Sequence, residues 1–326
     1  MKAIHVTRPG TWAVALLAAI LVPPLLANDY QLRLIVVVGI YTLLTMGLNF
    51  MLGYAGLLSL AQVGFFAIGA YVTAILTVDH HWSFWLALPV GMAACALVAT
   101  ILGRPVLKLK SHYFMFATFV IAEMCQQIAT NWDPVTHGAT GIASIPRPGF
   151  FGVALADSIG FYYLVLGAVA LGVYVSFRVE RSKLGRALMA IRESEVAAQT
   201  MGIRVAGMKQ MAFTLSALFG GLAGGLYASF TSVISPDVFS FEVTIIVLVS
   251  LLLGGCGSIA GSIIGTIIVY MMPEWLRSIG QYYMIVYGAG IILLMVFLPK
   301  GLIGIVETVR IRRSARPVLQ RKGRPI

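Results

Sequence analysis

Charged residues are scarce in this 326-residue sequence. Asp, Glu, Lys and Arg together make up 11% of it, whereas hydrophobic residues make up 59% and the mean hydropathy is +0.92. Soluble globular domains usually carry about a quarter charged residues. The composition therefore excludes an ordinary soluble domain and indicates a protein that lies in a lipid bilayer.

The sequence also lacks the short motifs that support catalysis or nucleotide binding. It contains no Gly-Lys dipeptide, and hence no Gly-x-x-x-x-Gly-Lys-Ser/Thr phosphate-binding loop. It has neither a Gly-x-Ser-x-Gly nucleophile motif nor a His-Glu-x-x-His zinc motif. We therefore expect no enzyme activity and no bound cofactor in this chain. If the protein performs active work, the energy must come from a partner.

Candidate metal ligands and disulfide-forming residues are few. Three cysteines lie in apolar stretches: Cys95, Cys125 and Cys256. They show neither metal-ligand spacing nor a pairing pattern, so we interpret them as small buried hydrophobic residues. Asp79, His80 and His81 are adjacent, but three consecutive side chains cannot easily reach one ion. We predict no metal site.

Apolar runs follow one another along most of the chain. Most are close to the ~20 residues that a helix needs to cross the hydrocarbon core. They lie near 12–27, 33–51, 57–78, 84–103, 113–130, 160–177, 208–230, 243–254, 261–272 and 283–298. The sequence thus predicts an all-α, polytopic membrane protein of about ten transmembrane or re-entrant helices, forming a single membrane domain over 1–326.

Basic residues are concentrated in alternate connections between these runs. With a cytoplasmic N-terminus, only Arg33, Arg147 and Arg277 of the 23 Lys and Arg residues fall outside the predicted cytoplasmic segments. This distribution follows the positive-inside rule and explains the formal net charge of +11 without a nucleic-acid partner. It predicts that both termini are cytoplasmic. Two interpretations of the basic tail, 300–326, stay open: an anchor on anionic membrane lipid and a disordered tail.

The same rule divides the long apolar stretch 243–272. A single crossing there would put the Arg-rich tail outside. We therefore predict two short segments that meet at residues 254–257, a Gly-Gly-Cys-Gly sequence. Whether each segment fully spans the membrane or is re-entrant stays open at this point.

One long charged segment, 178–207, interrupts the apolar runs. A helix that begins at Lys183 carries an apolar stripe at i, i+4 and i+7, formed by Leu184, Leu188 and Ile191. Arg186 and Glu193 then lie on the opposite face. This pattern predicts an amphipathic helix.

A second short helix is predicted directly after it. Ser194 can cap this helix, which would contain Glu195, Ala197 and Ala198. Gly202 suits the left-handed position that follows a helix end. Two interpretations remain open on spacing alone: a compact docking surface for another protein, or an amphipathic helix that lies on the membrane surface.

The letters of this segment resemble those of a transport family. The matching stretches are Gly185-Arg186-Ala187, Ala190-Ile191-Arg192-Glu193, Glu195, Ala197-Ala198 and Met201-Gly202-Ile203. The segment resembles the cytoplasmic coupling loop of ABC-type import permeases, and in detail the LivM-type members of the branched-chain amino-acid permease family. Val196 stands where the wider importer pattern has an acid, and Glu195 lies one residue earlier. The resemblance implies an ATPase-coupling surface that comprises Arg186, Ile191, Arg192, Glu193, Glu195, Ala197, Ala198 and Gly202.

The resemblance also implies a type II-like permease fold and a set of partners. These are a second, LivH-type permease, two cytosolic ATP-binding subunits that hold ATP and Mg²⁺, and a periplasmic solute-binding protein at the bacterial inner membrane. The length and composition of the external loop 131–159 leave two interpretations open, a platform for an extracytoplasmic partner and a packed surface loop. The solute would be a branched-chain amino acid or a related small amino or organic acid.

Two glycine-interrupted stretches suggest where the solute passes. Polar residues and glycines interrupt the apolar stretch 41–78, which resembles the same family: Asn49, Gly53, Gly56, Ser59, Gln62 and Gly64. The glycine spacing of +3 and +11 recurs at Gly254, Gly257 and Gly265. Such interruptions favour a pseudo-symmetric transporter with its pathway between the repeats; close helix packing is the alternative. We predict that the first set, with Gly254, Gly255 and Gly257, forms the pathway or gate.

A polar stripe follows the predicted span 113–130. Its members lie at i, i+3, i+4 and i+7: Glu123, Gln126, Gln127 and Thr130. A carboxylate at this depth costs about 3 kcal/mol or more unless it faces water or a partner group. Two interpretations stay open for Glu123, a lining of the pathway and a hydrogen-bonded anchor to another helix. A rival function, a self-contained secondary carrier or channel, would use Glu123 as its ion-coupling group.

Overall fold

The computed structural model describes residues 28–150, 153–154, 158–276, 283–297 and 301–302, and all structural statements below concern these residues. The predicted span 12–27 lies outside them. So does the predicted basic tail 300–326, apart from residues 301–302.

Helices dominate the described residues. The α-helices are α1 (Asp29–Asn49), α2 (Gln62–Val78), α3 (Phe84–Val106), α4 (Ser111–Asn131), α5 (Asp133–Thr136), α6 (Ser158–Arg181), α7 (Lys183–Glu193), α8 (Glu195–Thr200), α9 (Val205–Thr231), α10 (Phe241–Gly254), α11 (Ile259–Leu276) and α12 (Tyr283–Phe297). A π-helix (Phe50–Tyr54) extends α1, and 3-10 turns cover Gly138–Thr140 and Pro236–Phe239. The strands have two residues each: β1 (Ile142–Ala143), β2 (Gly149–Phe150), β3 (Val153–Ala154) and β4 (Val233–Ile234). The chain is an all-α protein with these small additions.

Five helical segments of the described chain are long and apolar enough to cross a membrane. They are α1 with its π-helical extension, α3, α6, α9 and α11. α2 and α10 are apolar but shorter, with 17 and 14 residues. α4 has 21 residues but is not among the five, because Glu123 and its glutamine neighbours reduce its apolar character. The described chain is therefore a multi-pass membrane protein.

α1 and α9 form the centre of the bundle. In their most apolar windows 78% and 67% of residues are buried, compared with 28% in α3 and 22% in α6. Glycines allow α9 to approach α2 closely: a Cβ on Gly69 would lie 2.5 Å from the Cα of Gly221. Small residues at helix contacts are typical of membrane proteins, where close backbone approach replaces the hydrophobic effect.

The strand pair β1–β4 joins two connections that the charge pattern places on the external side. Ile142 pairs with Ile234 in antiparallel register, and both side chains are fully buried. The first strand lies in the connection between α4 and α6, and the second lies in the connection between α9 and α10. Their pairing agrees with a location of both connections on the same side of the membrane. We did not predict these strands, because two residues are too few to show an alternating pattern.

Two helical segments break where glycines interrupt them. After the π-helix the chain is non-helical until α2 begins at Gln62, five residues later than the predicted start at 57. Gly56 causes this delay, since its φ of +70° is incompatible with a continuing helix. The second break separates α10 from α11 at residues 255–258, which confirms the prediction of two segments meeting there.

Candidate functional site

The first predicted helix of the charged segment is present as α7. Ser182 caps its N-terminus: the Ser182 Oγ accepts a hydrogen bond from the Gly185 N–H at 3.3 Å. Leu188 and Ile191 are buried and hold the helix against the bundle. The residues predicted for the opposite face, Arg186 and Glu193, are exposed. The amphipathic prediction is confirmed.

The second helix, α8, turns away from the first at Ser194. The Ser194 Oγ accepts from the Ala197 N–H at 3.3 Å, and Ala198 is buried beneath the helix. Gly202 follows with a φ of +79°, in the left-handed region that was predicted for it. We call residues 183–202 the α7–α8 corner.

Two exposed apolar side chains stand on this corner and were missing from the predicted coupling residues. Val196 is 72% exposed and Met201 is 82% exposed. They lie beside Ala197 and Gly202, which are also exposed. Ala198 lies on the buried side of α8. Once Ala198 is assigned to that side, helical spacing places Val196 on the outward face, so the sequence held a signal for it. Exposed apolar side chains next to small residues are suited to insertion into a partner's groove.

Glu195 forms an ion pair inside the chain. Its Oε2 lies 2.7 Å from the Nζ of Lys209 on α9, and the Lys209 side chain is only 7% exposed, compared with 48% for Glu195. A nearly buried ammonium group needs a counter-charge. Glu195 therefore connects the corner to α9, and its predicted contact with an ATPase stays a prediction.

Arg192 turns its guanidinium toward the bundle. Its Nη1 donates a hydrogen bond to the Gly53 carbonyl oxygen at 2.5 Å. A Cβ on Gly56 would lie 2.8 Å from the Arg192 Cγ, so the aliphatic part of the side chain covers this glycine. Arg192 as a residue is exposed, and the hydrogen bond that its guanidinium makes is with its own chain.

The two breaks in the bundle meet at this arginine. The Asn49 Oδ1 accepts a hydrogen bond from the Gly257 N–H at 2.8 Å. A Cβ on Gly53 would lie 2.6 Å from the Gly257 nitrogen, and a Cβ on Gly257 would lie 3.1 Å from the Arg192 Nη1. We call Asn49, Gly53, Gly56 and Gly257 the glycine crossing. The predicted pathway set thus has part of its members in direct contact.

The other predicted pathway residues of this stretch lie elsewhere. Gln62 is buried among three helices: its Nε2 donates to the Leu44 and Ser216 carbonyl oxygens at 3.1 and 3.2 Å, and its Oε1 accepts from the Ser216 Oγ at 2.6 Å. Gly64 packs against Ala122 of α4. These contacts show that both residues hold helices together. Whether the solute also meets them stays a prediction.

Ser59, Gly254 and Gly255, which also belong to the predicted pathway set, lie outside the glycine crossing. Ser59 is buried, and its Oγ accepts from the Ala61 N–H at 3.4 Å. Gly254 meets the backbone of Gly261 on α11, where no Cβ fits. Gly255 has a φ of +114° and turns the chain between the two helices.

The polar stripe on α4 lies beside an exposed apolar face. Glu123 and Gln126 are half-buried, and Glu123 has no hydrogen bond or ion pair to another residue in the part of the chain that the structure describes. Gln127 is exposed and its Oε1 accepts from the Asn131 side chain at 3.2 Å. The exposed apolar face comprises Tyr113, Phe116, Val120, Met124 and Ile128. An anchor from Glu123 to another helix is therefore not found among the described residues.

No group of three metal-ligating side chains comes together within the ranges that the structure describes. The cysteines are unpaired; Cys95 is buried and the other two are partly buried. Burial raises the pKa of the Cys256 thiol, and the positive charge of Arg192 opposes that rise. Cys256 is therefore a reporter of the arginine's position.

Comparisons with known proteins identify the family. The model of the branched-chain amino acid transport system permease component matches residues 30–296. The chain is 34% identical to the high-affinity branched-chain amino acid transport system permease protein LivM of Escherichia coli K12, over 89% of this chain and 74% of that protein. It is 24% identical to LivH of the same strain, over 83% of this chain and 93% of LivH. It is also 27% identical to the ribose import permease protein RbsC, over 70% and 72% of the two chains.

No solved structure matches the chain. The family model covers more than half of the sequence, and the likeness to LivM extends over most of both chains. The chain therefore belongs to the family of permease components of branched-chain amino acid transport systems, as a LivM-type membrane permease subunit of an ABC importer.

Proposed function

We propose that this subunit pairs with a LivH-type permease in the bacterial inner membrane and imports branched-chain amino acids or related small amino or organic acids. Two cytosolic ATPases bound to the pair would supply the energy, and a periplasmic binding protein would deliver the solute. The relatives named LivM and LivH support a pair of related permeases. The charge pattern supports cytoplasmic termini and a cytoplasmic α7–α8 corner.

The α7–α8 corner carries this proposal. Leu188, Ile191 and Ala198 fix it to the bundle, while Val196 and Met201 project from it. A surface that is rigidly anchored below and apolar above is suited to transmit the movement of a partner. In the proposed complex the two apolar side chains enter a groove of the ATPase, and Arg186 and Glu193 make polar contacts at its rim.

The outer face of α4 is the proposed contact with the second permease. A carboxylate without a partner is costly against lipid, and Glu123 has none among the residues that the structure describes. It lies next to an exposed apolar stripe that a neighbouring helix would cover. In this arrangement Glu123, Gln126 and Gln127 line a pathway between the two permeases. The glycine crossing, which includes Asn49, would close that pathway on the cytoplasmic side.

A self-contained secondary carrier is the weaker alternative. It would require Glu123 to bind and release a coupling ion while the α7–α8 corner has no partner. Membership of an ABC permease family favours the corner as a functional surface. The lack of a partner for Glu123 within the described ranges is equally compatible with a pathway that opens only in the permease pair.

The substitution Gly202→Asp tests the corner. Gly202 is exposed and has open space around it, so the new carboxylate meets no neighbouring atom and adds a charge to the surface proposed for the ATPase. The φ of +79° strains any residue with a Cβ, and Asp tolerates this conformation better than most residues. We expect the variant to insert into the membrane and to lose ATP-dependent uptake in vesicles.

Gly207→Asp is the control for the added charge alone, because Gly207 has an ordinary helical φ. Gly207 is also exposed with open space around it, and it lies in the first turn of α9, where an acidic residue is favourable. We expect normal uptake from this variant. Normal uptake by Gly202→Asp as well would remove the corner from the coupling path.

A further inference from the structure

Side chains from other segments form hydrogen bonds to the backbone at both helix breaks, the one after α1 and the one between α10 and α11. Gly53 lies in the last turn of the π-helix, where backbone carbonyls have no partner within the helix. Arg192 supplies the donor to its carbonyl oxygen, and the positive charge is favourable at the negative end of the helix. Asn49 supplies the acceptor for the Gly257 N–H on the second break. The same few atoms thus join α1, the α10–α11 connection and α7.

These breaks are places where the backbone is able to change shape. A π-helical turn and residues with positive φ have fewer regular hydrogen bonds to lose than a continuous α-helix. Gly56 and Gly257 have φ values of +70° and +87°. A force applied at this point would alter the direction of α1 and of α10 with little other disruption.

Arg192 is connected rigidly to the surface of the corner. It occupies the last turn of α7, directly after the buried Ile191, and Ser194 begins α8 two residues later. A displacement of the corner therefore moves the guanidinium. Its aliphatic part packs on Gly56 and its Nη1 lies at Gly53 and Gly257, so both breaks must respond.

We propose that Arg192 is a positioning residue that transmits movement of the α7–α8 corner directly to the glycine crossing, and so opens or closes the cytoplasmic side of the pathway. This proposal rests on the proposed function, because it requires an ATPase that moves the corner. It gives Arg192 a role different from a direct contact with the ATPase. Removing its guanidinium uncouples ATP hydrolysis from transport while leaving the ATPase bound.

The test uses the whole complex, purified with its ATPases and second permease and reconstituted in vesicles with the binding protein and leucine. Arg192→Gln removes the charge and the Nη1 donor to the Gly53 carbonyl oxygen. Arg204→Gln is the matched control, because Arg204 is exposed in the same cytoplasmic segment and lies outside the glycine crossing. Subunit stoichiometry, ATP hydrolysis and leucine uptake are measured for each variant.

We expect Arg192→Gln to assemble normally and to hydrolyse ATP within about twofold of the unaltered complex. Its uptake per ATP hydrolysed should fall about tenfold, the factor that corresponds to loss of one charge-assisted hydrogen bond. The Arg204→Gln complex should keep the normal ratio. An unchanged ratio in Arg192→Gln, or a parallel loss of hydrolysis and uptake, would overturn the proposal.

A second measurement covers the case in which Arg192→Gln fails to assemble. Hydrogen–deuterium exchange is measured on the unaltered complex with and without a non-hydrolysable ATP analogue. We expect the analogue to change the exchange rates at 53–58, 183–193 and 255–258 together. A change confined to 183–193 would contradict the proposal. If instead the unaltered chain binds no ATPase, or Gly202→Asp imports normally, it is the proposed function that has failed.

Discussion

The Nη1 atom of Arg192 lies 2.5 Å from the carbonyl oxygen of Gly53, although the two residues are 139 positions apart in the sequence. One belongs to the α7–α8 corner, and the other belongs to the π-helical break that extends the central helix α1. The contact therefore connects the two regions of the chain in which the family likeness and the glycine pattern suggested function.

Gly53→Ala should destabilise the protein. The added Cβ would overlap the Asn49 Oδ1 and lie 2.6 Å from the Gly257 nitrogen, so the glycine crossing would have to separate. Overpacking of this kind costs about 1–3 kcal/mol. We expect a lower midpoint of thermal unfolding in detergent. The midpoint is measured by size-exclusion chromatography of samples heated to a series of temperatures. Gly167→Ala, on α6 with open space around it, should unfold at or above the normal temperature, and an equal loss in both variants would argue against the close crossing.

The Glu195–Lys209 pair should contribute to stability as a unit. Glu195→Gln leaves a nearly buried ammonium group without its counter-charge, which costs about 1–3 kcal/mol. Lys209→Met leaves only a half-exposed carboxylate, which water can solvate. A double-mutant cycle of unfolding midpoints should give a favourable coupling between the two residues. Additive effects would show that the pair does not interact in the folded protein.

Gln62→Leu should destabilise the centre of the bundle. The leucine would leave the Ser216 hydroxyl and two buried carbonyl oxygens without the partners that Gln62 supplies, at a cost of about 1–3 kcal/mol. Gln199→Leu, at an exposed position on α8, is the control for stability. An unfolding midpoint of Gln62→Leu equal to that of the control would mean that water, rather than the neighbouring helices, solvates Gln62.

The reactivity of Cys256 should depend on Arg192. The arginine's charge lowers the pKa of this thiol against the rise caused by burial, so Arg192→Gln should raise the pKa further. A higher pKa leaves less thiolate at a given pH, and the pH profile of maleimide labelling should shift to higher pH. The experiment uses a chain in which the other two cysteines are replaced by alanine. Arg204→Gln should leave the profile in place, and an unshifted profile for Arg192→Gln would place the guanidinium away from Cys256.

The local features of the α7–α8 corner could be predicted from sequence because neighbouring residues determine them. The cap at Ser194, the buried stripe with Leu188 and Ile191, and the left-handed Gly202 all follow from side-chain spacing within one or two turns. The break after Gly254 was predicted from the positive-inside rule applied to the whole chain. Only two segments in this stretch put the Arg-rich tail on the cytoplasmic side.

Contacts between distant segments could not be predicted in this way. A helical wheel gives the direction of a Cβ, but it does not show that the long side chain of Arg192 reaches back to Gly53. Lys209 was counted among cytoplasmic charges, although packing of the corner against α9 buries it. The polarity of Gln62 suggested a pathway residue, because sequence alone does not distinguish a side chain that faces water from one that bonds to neighbouring helices.

The set of proteins that accompany this subunit in the membrane distinguishes an ATP-driven complex from a carrier that works alone. The tagged chain would be purified from its native membrane in a gentle detergent, and the proteins that accompany it would be identified and quantified. We predict one related permease and two ATPase subunits for each copy of the chain, with solute uptake that requires ATP. A chain that purifies alone and transports solute in ATP-free vesicles would contradict this account.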